Sequence, residues 1–264
     1  MKDLVLIKLG GSVITDKKRE FVVREENIVR LVKEIKEAKK KFNGRIIVGH
    51  GAGSFAHIPA YKYQTKKGLI NKNSLLGMSI TEDAARQLNM LVVKKFLDQK
   101  LPVFSFSPAS FLISDAQVYK KAYLDPIKKA LEVNVTPIVY GDVILDLKTG
   151  CTIFSTEKVL TILAKEMKDE YKIRMIYCTN TDGVYNERGK TIKKITSKNF
   201  GRLKNSILEA KGVDVTGGML HKVEEALNLA SKEGVETVII NGETLGQLKN
   251  LLLGKRVIGT VVGP

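Results

Sequence analysis

The chain has no tryptophan, only two cysteines and no long apolar run. Because tryptophan and any aromatic RNA-stacking motif are missing, the sequence gives no sign of a base-stacking surface. Cys151 and Cys178 cannot form a disulfide framework, and no Cys/His spacing suggests a zinc site, so we expect two buried or semi-buried thiols. No stretch approaches the ~20 apolar residues of a membrane helix, and we expect a cytoplasmic protein with no membrane partner.

Acidic residues are in the minority. The 264 residues carry 44 basic and 28 acidic side chains, a formal net charge of +16. The lysine clusters fall on predicted helices and alternate with Glu, which is typical of a solvated, lysine-rich surface. An anionic small-molecule substrate explains the remaining charge as well as nucleic acid does, and we expect no specific nucleic-acid partner.

Short apolar strands alternate with amphipathic helices along the chain. The predicted strands are 4–9, 45–50, 102–106, 136–140, 173–179, 237–241 and 257–262. The predicted helices are 25–41, 81–99, 125–134, 158–167, 222–233 and 245–252. A hairpin is predicted over 143–154, where DLKTG supplies the turn. The alternation indicates an α/β fold, an open αβα sandwich with a mainly parallel sheet. We expect one continuous domain with a lobe boundary near residue 170.

Four loops contain residues suited to binding anions. The first, IKLGGSVITDK, leaves the first strand with Gly10, Gly11 and Ser12 between Lys8 and Lys17. Glycine lets backbone N–H groups approach an anion closely, and lysine adds a mobile positive charge. Taken alone, this stretch fits a structural turn as well as a phosphate cradle.

The second loop, VGHGAGSFAH, follows the second strand and opens a helix predicted from Ser54. A glycine-rich helix start offers N–H groups and the positive end of the helix dipole to an anion. His57 in the first helical turn is a candidate hydrogen-bond donor to that anion, whereas His50 ends the strand and reads as structural.

The third loop, CTNTDGVY, follows the strand at 173–179, and the fourth, DVTGGMLHK, precedes a helix that starts near Met219. The fourth again combines glycines, a helix start and a lysine, Lys222. No Walker A motif and no GxSxG motif occurs. Several lysines, glycine turns and one histidine suit phosphoryl transfer, in which the protein mainly positions and neutralises the moving phosphate.

These motifs, KLGGSVITDK, HGAGSFAH, YGDV, TNTDGVY and DVTGGM, resemble those of the amino acid kinase superfamily in their order along nearly the whole chain. Within it they look most like the archaeal-type isopentenyl phosphate kinase branch, which carries a histidine where His57 stands. The resemblance implies an ATP-dependent enzyme of isoprenoid synthesis by the alternative mevalonate route. It would convert isopentenyl phosphate, or a close isoprenoid monophosphate, to the diphosphate by in-line transfer. It further implies a homodimer, with an acceptor lobe at 1–170 and an ATP lobe at 171–264.

The resemblance also implies site residues. The implied catalytic residues are Lys8, Lys17, His57, Glu157 and Lys222. The implied acceptor-binding residues are Gly51, Ala52, Gly53, His57, Gly141 and Asp142. The implied ATP-binding residues are Lys8, Gly10, Gly11, Ser12, Thr179, Asp182, Gly183, Val184, Tyr185, Gly217, Gly218 and Lys222. Mg²⁺ would bridge ATP oxygens with few protein ligands, so no metal-binding side chain is assigned. The acceptor tail would rest on the helix around Met78, Ile80, Ala84 and Leu88.

The chain departs from the family pattern at several positions. Ala52 and Ala56 stand where the family has glycine, and Asn180 where an Asp is common. In FSTEKV, Glu157 replaces the aspartate that orients the lysines, with Lys158 next to it. The added methylene would move the lysines by about an ångström, a misplacement that can cost on the order of 100-fold in rate.

Two alternatives remain open at the level of sequence. The altered 155–158 segment is compatible with another acceptor, such as a carboxylate, a phosphonate or a nucleoside monophosphate. A non-catalytic binding or regulatory protein on a kinase scaffold is the second alternative. Turnover with a panel of acceptors distinguishes all three.

Overall fold

The computed structural model describes residues 1–16, 19–208, 210 and 218–264. Two predicted site residues, Lys17 and Gly217, lie outside the described residues.

The strands are β1 Lys2–Leu9, β2 Arg45–His50, β3 Val103–Ser105, β4 Leu112–Asp115, β5 Val118–Ala122, β6 Thr136–Tyr140, β7 Asp142–Asp146, β8 Gly150–Phe154, β9 Tyr171–Thr179, β10 Lys194–Ile195, β11 Glu236–Asn241 and β12 Gly259–Val262. The α-helices are α1 Gly11–Ile14, α2 Glu25–Lys39, α3 Gly53–Lys62, α4 Ser74–Asp98, α5 Asp125–Glu132, α6 Thr156–Met167, α7 Ser197–Leu208, α8 Gly218–Glu233 and α9 Gln247–Leu252.

The described strands form a large sheet of eight strands in the order β10-β12-β11-β9-β1-β2-β6-β3. The pairs from β11 to β3 are parallel, and β12 runs antiparallel to β11. The sheet is continuous across residue 170, since β9 pairs with β1 along its length. All seven predicted strands are present, and the predicted open α/β sheet is confirmed.

Helices cover both faces of this sheet. In β1, Val5 and Ile7 pack with α2, α4 and α9 in one apolar core, while Leu4 and Leu6 pack with α5, α6 and α8 in the other. Successive strand residues point to opposite faces, so a strand buried on both sides supplies two cores. The predicted apolar face of α2 is buried as expected, and the fold is an αβα sandwich.

A smaller sheet of four described strands, β5-β4-β7-β8, lies beside the main one. The predicted hairpin is its β7–β8 half, with Asp142 opposite Phe154 and Asp146 opposite Gly150. The buried Asp146 carboxylate accepts hydrogen bonds from Thr149 N at 2.7 Å and from Gln117 N at 2.6 Å, which ties this turn to the β4–β5 turn. The β4–β5 hairpin has no counterpart in the sequence prediction.

The described residues form no helix long and apolar enough to cross a membrane. Both cysteines are buried free thiols, as predicted.

Candidate active site

Four parallel strands end at the same level of the main sheet. Leu9 of β1 is paired with His50 of β2 on one side and with Cys178 of β9 on the other, and His50 is paired with Tyr140 of β6. The predicted loops therefore emerge side by side at the carboxyl edge, where open α/β sheets bind ligands.

A cavity of about 930 Å³ lies over these strand ends. The predicted residues that line it are Lys8, Gly10, Gly11, Ser12, Gly51, Ala52, Gly53, His57, Gly141, Asp142, Glu157, Thr179 and Lys222. Most of the predicted site residues thus meet in one space. This volume lies near the upper end of the range that is typical of small-molecule binding sites.

The two glycine loops touch backbone to backbone. A Cβ placed on Gly51 would lie 2.9 Å from Gly11 N, and one on Gly11 would lie 2.9 Å from Gly53 Cα. Thr15 links the loops further, because its Oγ1 donates to Gly11 O at 2.8 Å and accepts from Ser54 N at 3.2 Å. The opening GGS is therefore more than a turn, since it packs directly against the loop that carries His57.

Within the described residues, three helices and the single helical turn α1 begin at this cavity. Ser12 of α1, Ser54 of α3, Thr156 of α6 and Met219 of α8 all line it and all lie in the first turn of their helix. Helix N-termini present unpaired backbone N–H groups and a positive dipole end. Their convergence makes the cavity suited to several phosphate groups.

Lys8 and Glu157 form a buried ion pair at the base of the cavity, where Lys8 Nζ donates to Glu157 Oε1. Burial alone would raise the pKa of Glu157, but Lys8, aided by Lys222, outweighs it and lowers this pKa to about 2. The carboxylate thus stays charged and holds a cation of β1 beside one of α8.

Glu225 lies one helical turn beyond Lys222 on α8. Its Oε1 is 3.4 Å from His221 Nε2, and its buried Oε2 accepts no hydrogen bond from a described residue. Burial, reinforced by the charge of Glu157, raises the pKa of Glu225. The i, i+3 spacing to Lys222 was the available sequence signal for this neighbour.

Lys158 turns away from the cavity. Its ammonium lies 3.6 Å from the centroid of the Phe154 ring and donates to Gln117 O at 3.0 Å. It fastens α6 to the small sheet and does not line the cavity.

The two histidines that flank the second loop differ as predicted. His57 is exposed and lines the cavity. His50 is fully buried, its Nε2 lies 3.2 Å from Asn89 Oδ1, and its ring stacks on Tyr140. Burial lowers the pKa of His50 to about 4, so it stays neutral near pH 7 and acts as a structural residue.

Both alanines that replace family glycines are accommodated. Ala52 has φ −73° and ψ −15°, a conformation open to any L-residue. Ala56 packs against Ala84 and Ala85 where α3 crosses α4. The neighbouring Gly53 differs, since its φ is +52°.

The apolar end of the cavity includes side chains from α3, α4 and the β7–β8 hairpin. These are Ile58, Ala60, Ala85, Val143, Ile153 and Phe154. On α4, Thr81 and Ala85 line the cavity, whereas the residues expected to contact the acceptor tail do not: Met78, Ile80, Ala84 and Leu88. Ala84 and Leu88 instead pack into the cores.

Residues 182–185 form a turn beside the cavity rather than part of its lining. Asp182 Oδ1 accepts from Asn241 Nδ2 at 3.0 Å, and Asp182 N donates to the Tyr185 hydroxyl at 3.0 Å. Gly183 has φ +110°, and the fully buried Val184 anchors the turn in the core. Gly218 likewise contributes no lining atom, but its carbonyl accepts from Lys222 Nζ at 3.0 Å.

Several residues that line the cavity were not among the site residues predicted from the sequence: Ser155, Thr156, Tyr177, Asn180 and Thr181. Ser155 caps α6, its Oγ accepting from Lys158 N at 3.2 Å, and Thr156 Oγ1 donates to His50 O at 2.7 Å. An earlier start of the helix predicted at 158 would have pointed to both, because Ser is a favoured N-cap.

Asp142 supports a prediction on pH and stability. Its buried carboxylate accepts from Ser107 Oγ at 3.0 Å and from Val143 N at 2.8 Å. Burial, with a contribution from Glu82, raises the pKa of Asp142 to about 7. Since the ordinary value is 3.8, the folded state holds this proton more tightly between pH 4 and pH 7, and stability falls as pH rises through that range.

We expect Asp142→Asn to abolish this loss. Its free energy of unfolding, measured with urea, should match the parent near pH 4 and exceed it by about 2–4 kcal/mol at pH 8.5. Ser107→Ala, which removes one donor to the carboxylate, serves as a control that should destabilise at high pH. A parallel pH dependence in Asp142→Asn and the parent would contradict this assignment.

The chain matches known proteins over nearly its whole length. The family model described as "Amino acid kinase family" matches residues 3–241. The isopentenyl phosphate kinase of Methanocaldococcus jannaschii is 30% identical over 98% of each chain. That of Methanothermobacter thermautotrophicus is 33% identical over 97% of this chain and 98% of its own. A solved isopentenyl phosphate kinase structure superposes with a TM-score of 0.83 at 29% identity, covering 98% of this chain and 99% of its own. With this match and the glycine loops, lysines and helix starts gathered at one sheet edge, the chain belongs to the amino acid kinase family.

Proposed function

We propose that the protein is an ATP-dependent kinase that transfers the γ-phosphoryl group of ATP to isopentenyl phosphate or a close isoprenoid monophosphate. The observation that carries the proposal is the cavity that brings together the Lys8–Glu157 pair, Lys222 and His57 with both glycine loops and a set of apolar side chains. The relatives named isopentenyl phosphate kinase support the choice of acceptor. Synthesis of isoprenoid diphosphates in the cytoplasm is part of the proposal.

The polar end would hold ATP. Its β- and γ-phosphates would meet the backbone N–H groups of Gly10, Gly11 and Ser12, with Lys8, Lys17 and Lys222 neutralising charge. The turn at 179–185 and the start of α8, with Gly217 and Gly218, would form the nucleotide wall. The lobe at 171–264 would then be the ATP lobe.

The lobe at 1–170 would bind the acceptor. Gly51, Ala52 and Gly53 would present N–H groups to its phosphate, His57 would donate a further hydrogen bond, and Gly141 with Asp142 would close the wall. The apolar end would take the isoprenoid tail. A charged phosphate is attracted by these donors, whereas its tail is attracted by the apolar side chains.

The reaction then needs no general base. An acceptor phosphate oxygen is largely deprotonated near pH 7, since the second pKa of a phosphate monoester is about 6. That oxygen forms a bond to the γ-phosphorus as the bond to the bridging oxygen breaks, and ADP leaves with the electron pair. Lys8 and Lys222 would stabilise the charge that develops on the transferred group.

Mg²⁺ would neutralise charge on the ATP phosphates. Among the described residues, no group of three or more His, Cys, Asp or Glu side chains is placed to bind a metal. The donor set fits a metal carried by phosphate oxygens rather than by a cage of protein ligands.

His57 provides the test of the acceptor. The test is the rate of ADP release with ATP and Mg²⁺ for each of four acceptors: isopentenyl phosphate, dimethylallyl phosphate, a nucleoside monophosphate and an amino acid carboxylate. Isopentenyl phosphate should be preferred, and His57→Ala should lower kcat/KM for it by about 10- to 100-fold, since a hydrogen bond to a charged group contributes about 1.5–3 kcal/mol.

The control for this variant is the KM for ATP, which should stay unchanged. His57→Gln, which keeps an N–H donor, should recover part of the activity. A preference for a carboxylate, or an equal loss with every acceptor, would contradict the role of His57. No turnover with any acceptor would contradict the kinase itself.

We also propose a homodimer formed through β3. This strand is an edge of the main sheet, and Phe104 on it is 60% exposed. Helix α4, which packs against β3, carries the exposed Met90 and Leu97. An unpaired edge with exposed apolar side chains favours association.

Phe104→Lys should lower the mass measured by light scattering from that of two chains to that of one chain. Val118→Lys, at a 65% exposed position on the edge strand β5, should leave it unchanged. A parent that is monomeric would contradict the proposal.

A further inference from the structure

One exposed face combines aliphatic and lysine side chains, and we call it the lysine–leucine face. Its aliphatic residues are Leu69, Ile70, Leu75, Leu76 and Leu147, all more than two-fifths exposed. Its lysines are Lys66, Lys67, Lys72 and Lys148, which are also exposed. Single exposed leucines are common, but a group of five is not explained by the αβα fold.

Hydrogen bonds hold the face together. Ser74 Oγ accepts from Ile70 N and Asn71 N, each at 3.1 Å, which closes the loop onto the start of α4. Leu69 N donates to Thr149 O at 2.8 Å, so this loop lies against the β7–β8 turn that carries Leu147 and Lys148. The loop that carries Leu69 and Ile70 therefore lies directly beside the turn that carries Leu147.

The charge of the face is positive throughout. No Asp or Glu occurs between residues 38 and 81. In the β7–β8 turn, Asp146 is buried, and its Oδ1 accepts from Lys148 N at 3.0 Å and Thr149 N at 2.7 Å. The loop and the turn therefore contribute no exposed carboxylate, and Asp115 on the neighbouring β4 is paired with Lys120.

We infer that the lysine–leucine face binds the surface of an anionic lipid bilayer. Aliphatic side chains enter the boundary between headgroups and acyl chains, while lysines beside them attract anionic headgroups. A protein partner fits less well, because protein interfaces are depleted in lysine and the face carries four exposed lysines. This binding is peripheral and revises the expectation of no membrane partner, which considered only spanning segments.

The face adjoins the apolar end of the cavity. The two helices that flank its loop, α3 and α4, also line the cavity through Ile58, Ala60, Thr81 and Ala85. An amphiphilic acceptor at the bilayer surface would lie close to these helices. The lipid binding itself does not depend on the proposed kinase activity.

The test is co-sedimentation of the full chain with vesicles. One set contains equal parts of phosphatidylglycerol and phosphatidylcholine, and the other contains phosphatidylcholine alone. A chain of net charge +16 binds anionic vesicles to some extent wherever its lysines lie. The variants must therefore change the face at constant net charge, or remove equal charge elsewhere.

Leu75→Ser with Leu76→Ser keeps the charge and removes two side chains that are each 62% exposed. Its control, Leu245→Ser with Ile258→Ser, removes side chains that are 77% and 60% exposed on another surface. The first pair of substitutions should weaken binding to anionic vesicles by about tenfold or more, because each leucine that becomes buried in the bilayer contributes about 1.5–3 kcal/mol. The control pair should change it less than twofold.

The lysines are tested in the same way. Changing Lys66, Lys67, Lys72 and Lys148 together to Ser should weaken binding by about fivefold for each lysine removed, as expected for a lysine at an anionic surface. The control set, Lys40, Lys41, Lys232 and Lys255 changed to Ser, removes the same charge and should cost less than about threefold in total. Thermal midpoints and activity on a water-soluble acceptor verify that every variant is folded.

Three outcomes overturn the inference. The first would be a parent chain that binds phosphatidylglycerol vesicles no better than phosphatidylcholine vesicles. The second would be an equal loss of binding in the face variants and the control variants. The third would be a leucine variant that changes the oligomeric mass but not vesicle binding. The last result would show that a second copy of the chain covers the face.

Discussion

Lys8→Met is expected to lower kcat by about 100- to 1,000-fold with little change in the KM for ATP, as removal of one donor to developing charge does in other enzymes. Lys8 is buried at the end of β1, lines the cavity and donates to Glu157. Methionine keeps the length and most of the volume of the side chain, so packing in the main sheet is preserved. Initial rates over a range of ATP and acceptor concentrations separate kcat from KM.

Lys158→Met is the matched control. This lysine follows Glu157 directly, but its ammonium lies over the Phe154 ring, away from the cavity. We expect less than a threefold change in kcat. Equal losses in the two variants would show that the lysines act through stability or overall charge rather than through the transferred phosphoryl group.

A double-mutant cycle tests whether Glu157 acts through the lysines. Glu157→Gln should lower kcat on the order of 100-fold, because it no longer holds Lys8 and Lys222 together and a misplacement of about an ångström has that effect. Adding it to Lys8→Met should cost little more, since residues that act as one unit are non-additive. Additive losses would indicate that Glu157 has an independent role.

Gly53→Ala is expected to lower kcat/KM by about 100-fold or more and the free energy of unfolding by about 1–3 kcal/mol. Gly53 has φ +52°, and a Cβ at this position would collide with the Thr15 side chain. Thr15 bridges the two glycine loops, so relief of the clash must move the first loop, the second loop or both. Steady-state kinetics and urea unfolding measure the two effects.

Ala52→Gly tests the neighbouring position. Ala52 has an ordinary helical φ of −73°, so glycine there removes a methyl group without relieving strain. We expect activity within about twofold and a small loss of stability, since glycine costs about 0.5–1 kcal/mol relative to alanine in a helical conformation. A large gain in activity would show that the alanine methyl crowds the acceptor phosphate.

Most of the main sheet and the location of the site could be predicted from the sequence. Strands buried on both faces read as continuous apolar runs, and residues that follow such strands share one edge of a parallel sheet. That is why Gly10, Gly51, Gly141 and Thr179 could be grouped, although up to 169 residues of sequence separate them. The face of α2 was equally readable from its helical spacing, and the DLKTG turn from its residue types.

Other features were not readable because their signals are weak or long-range. The β4–β5 hairpin has β5 residues YKK without an apolar alternation, since that strand is an exposed edge. Helix α4 begins at Ser74, ahead of the predicted Thr81. Its first turn is rich in residues that face solvent and gives no apolar periodicity, and the Ser74 hydroxyl closes the preceding loop by accepting from Ile70 N. On the same helix, Thr81 and Ala85 line the cavity while Ala84 packs in the core. Ala84 and Ala85 are successive residues, so their side chains lie about 100° apart around the helix axis. The hydrophobic periodicity of the helix does not indicate which of these two faces meets a ligand.

The amino-acid sequence by itself determined the alternating α/β architecture, the four loops and the identities of the lysines and the histidine, because each depends on local residue patterns. Only the tertiary structure decided which of these groups meet. Lys8 and Glu157 form an ion pair across 149 residues, Gly11 and Gly51 touch through their backbones, and the aliphatic loop at 69–76 lies against the β7–β8 turn. Such contacts depend on how distant elements pack, and no local pattern encodes the distance between two side chains.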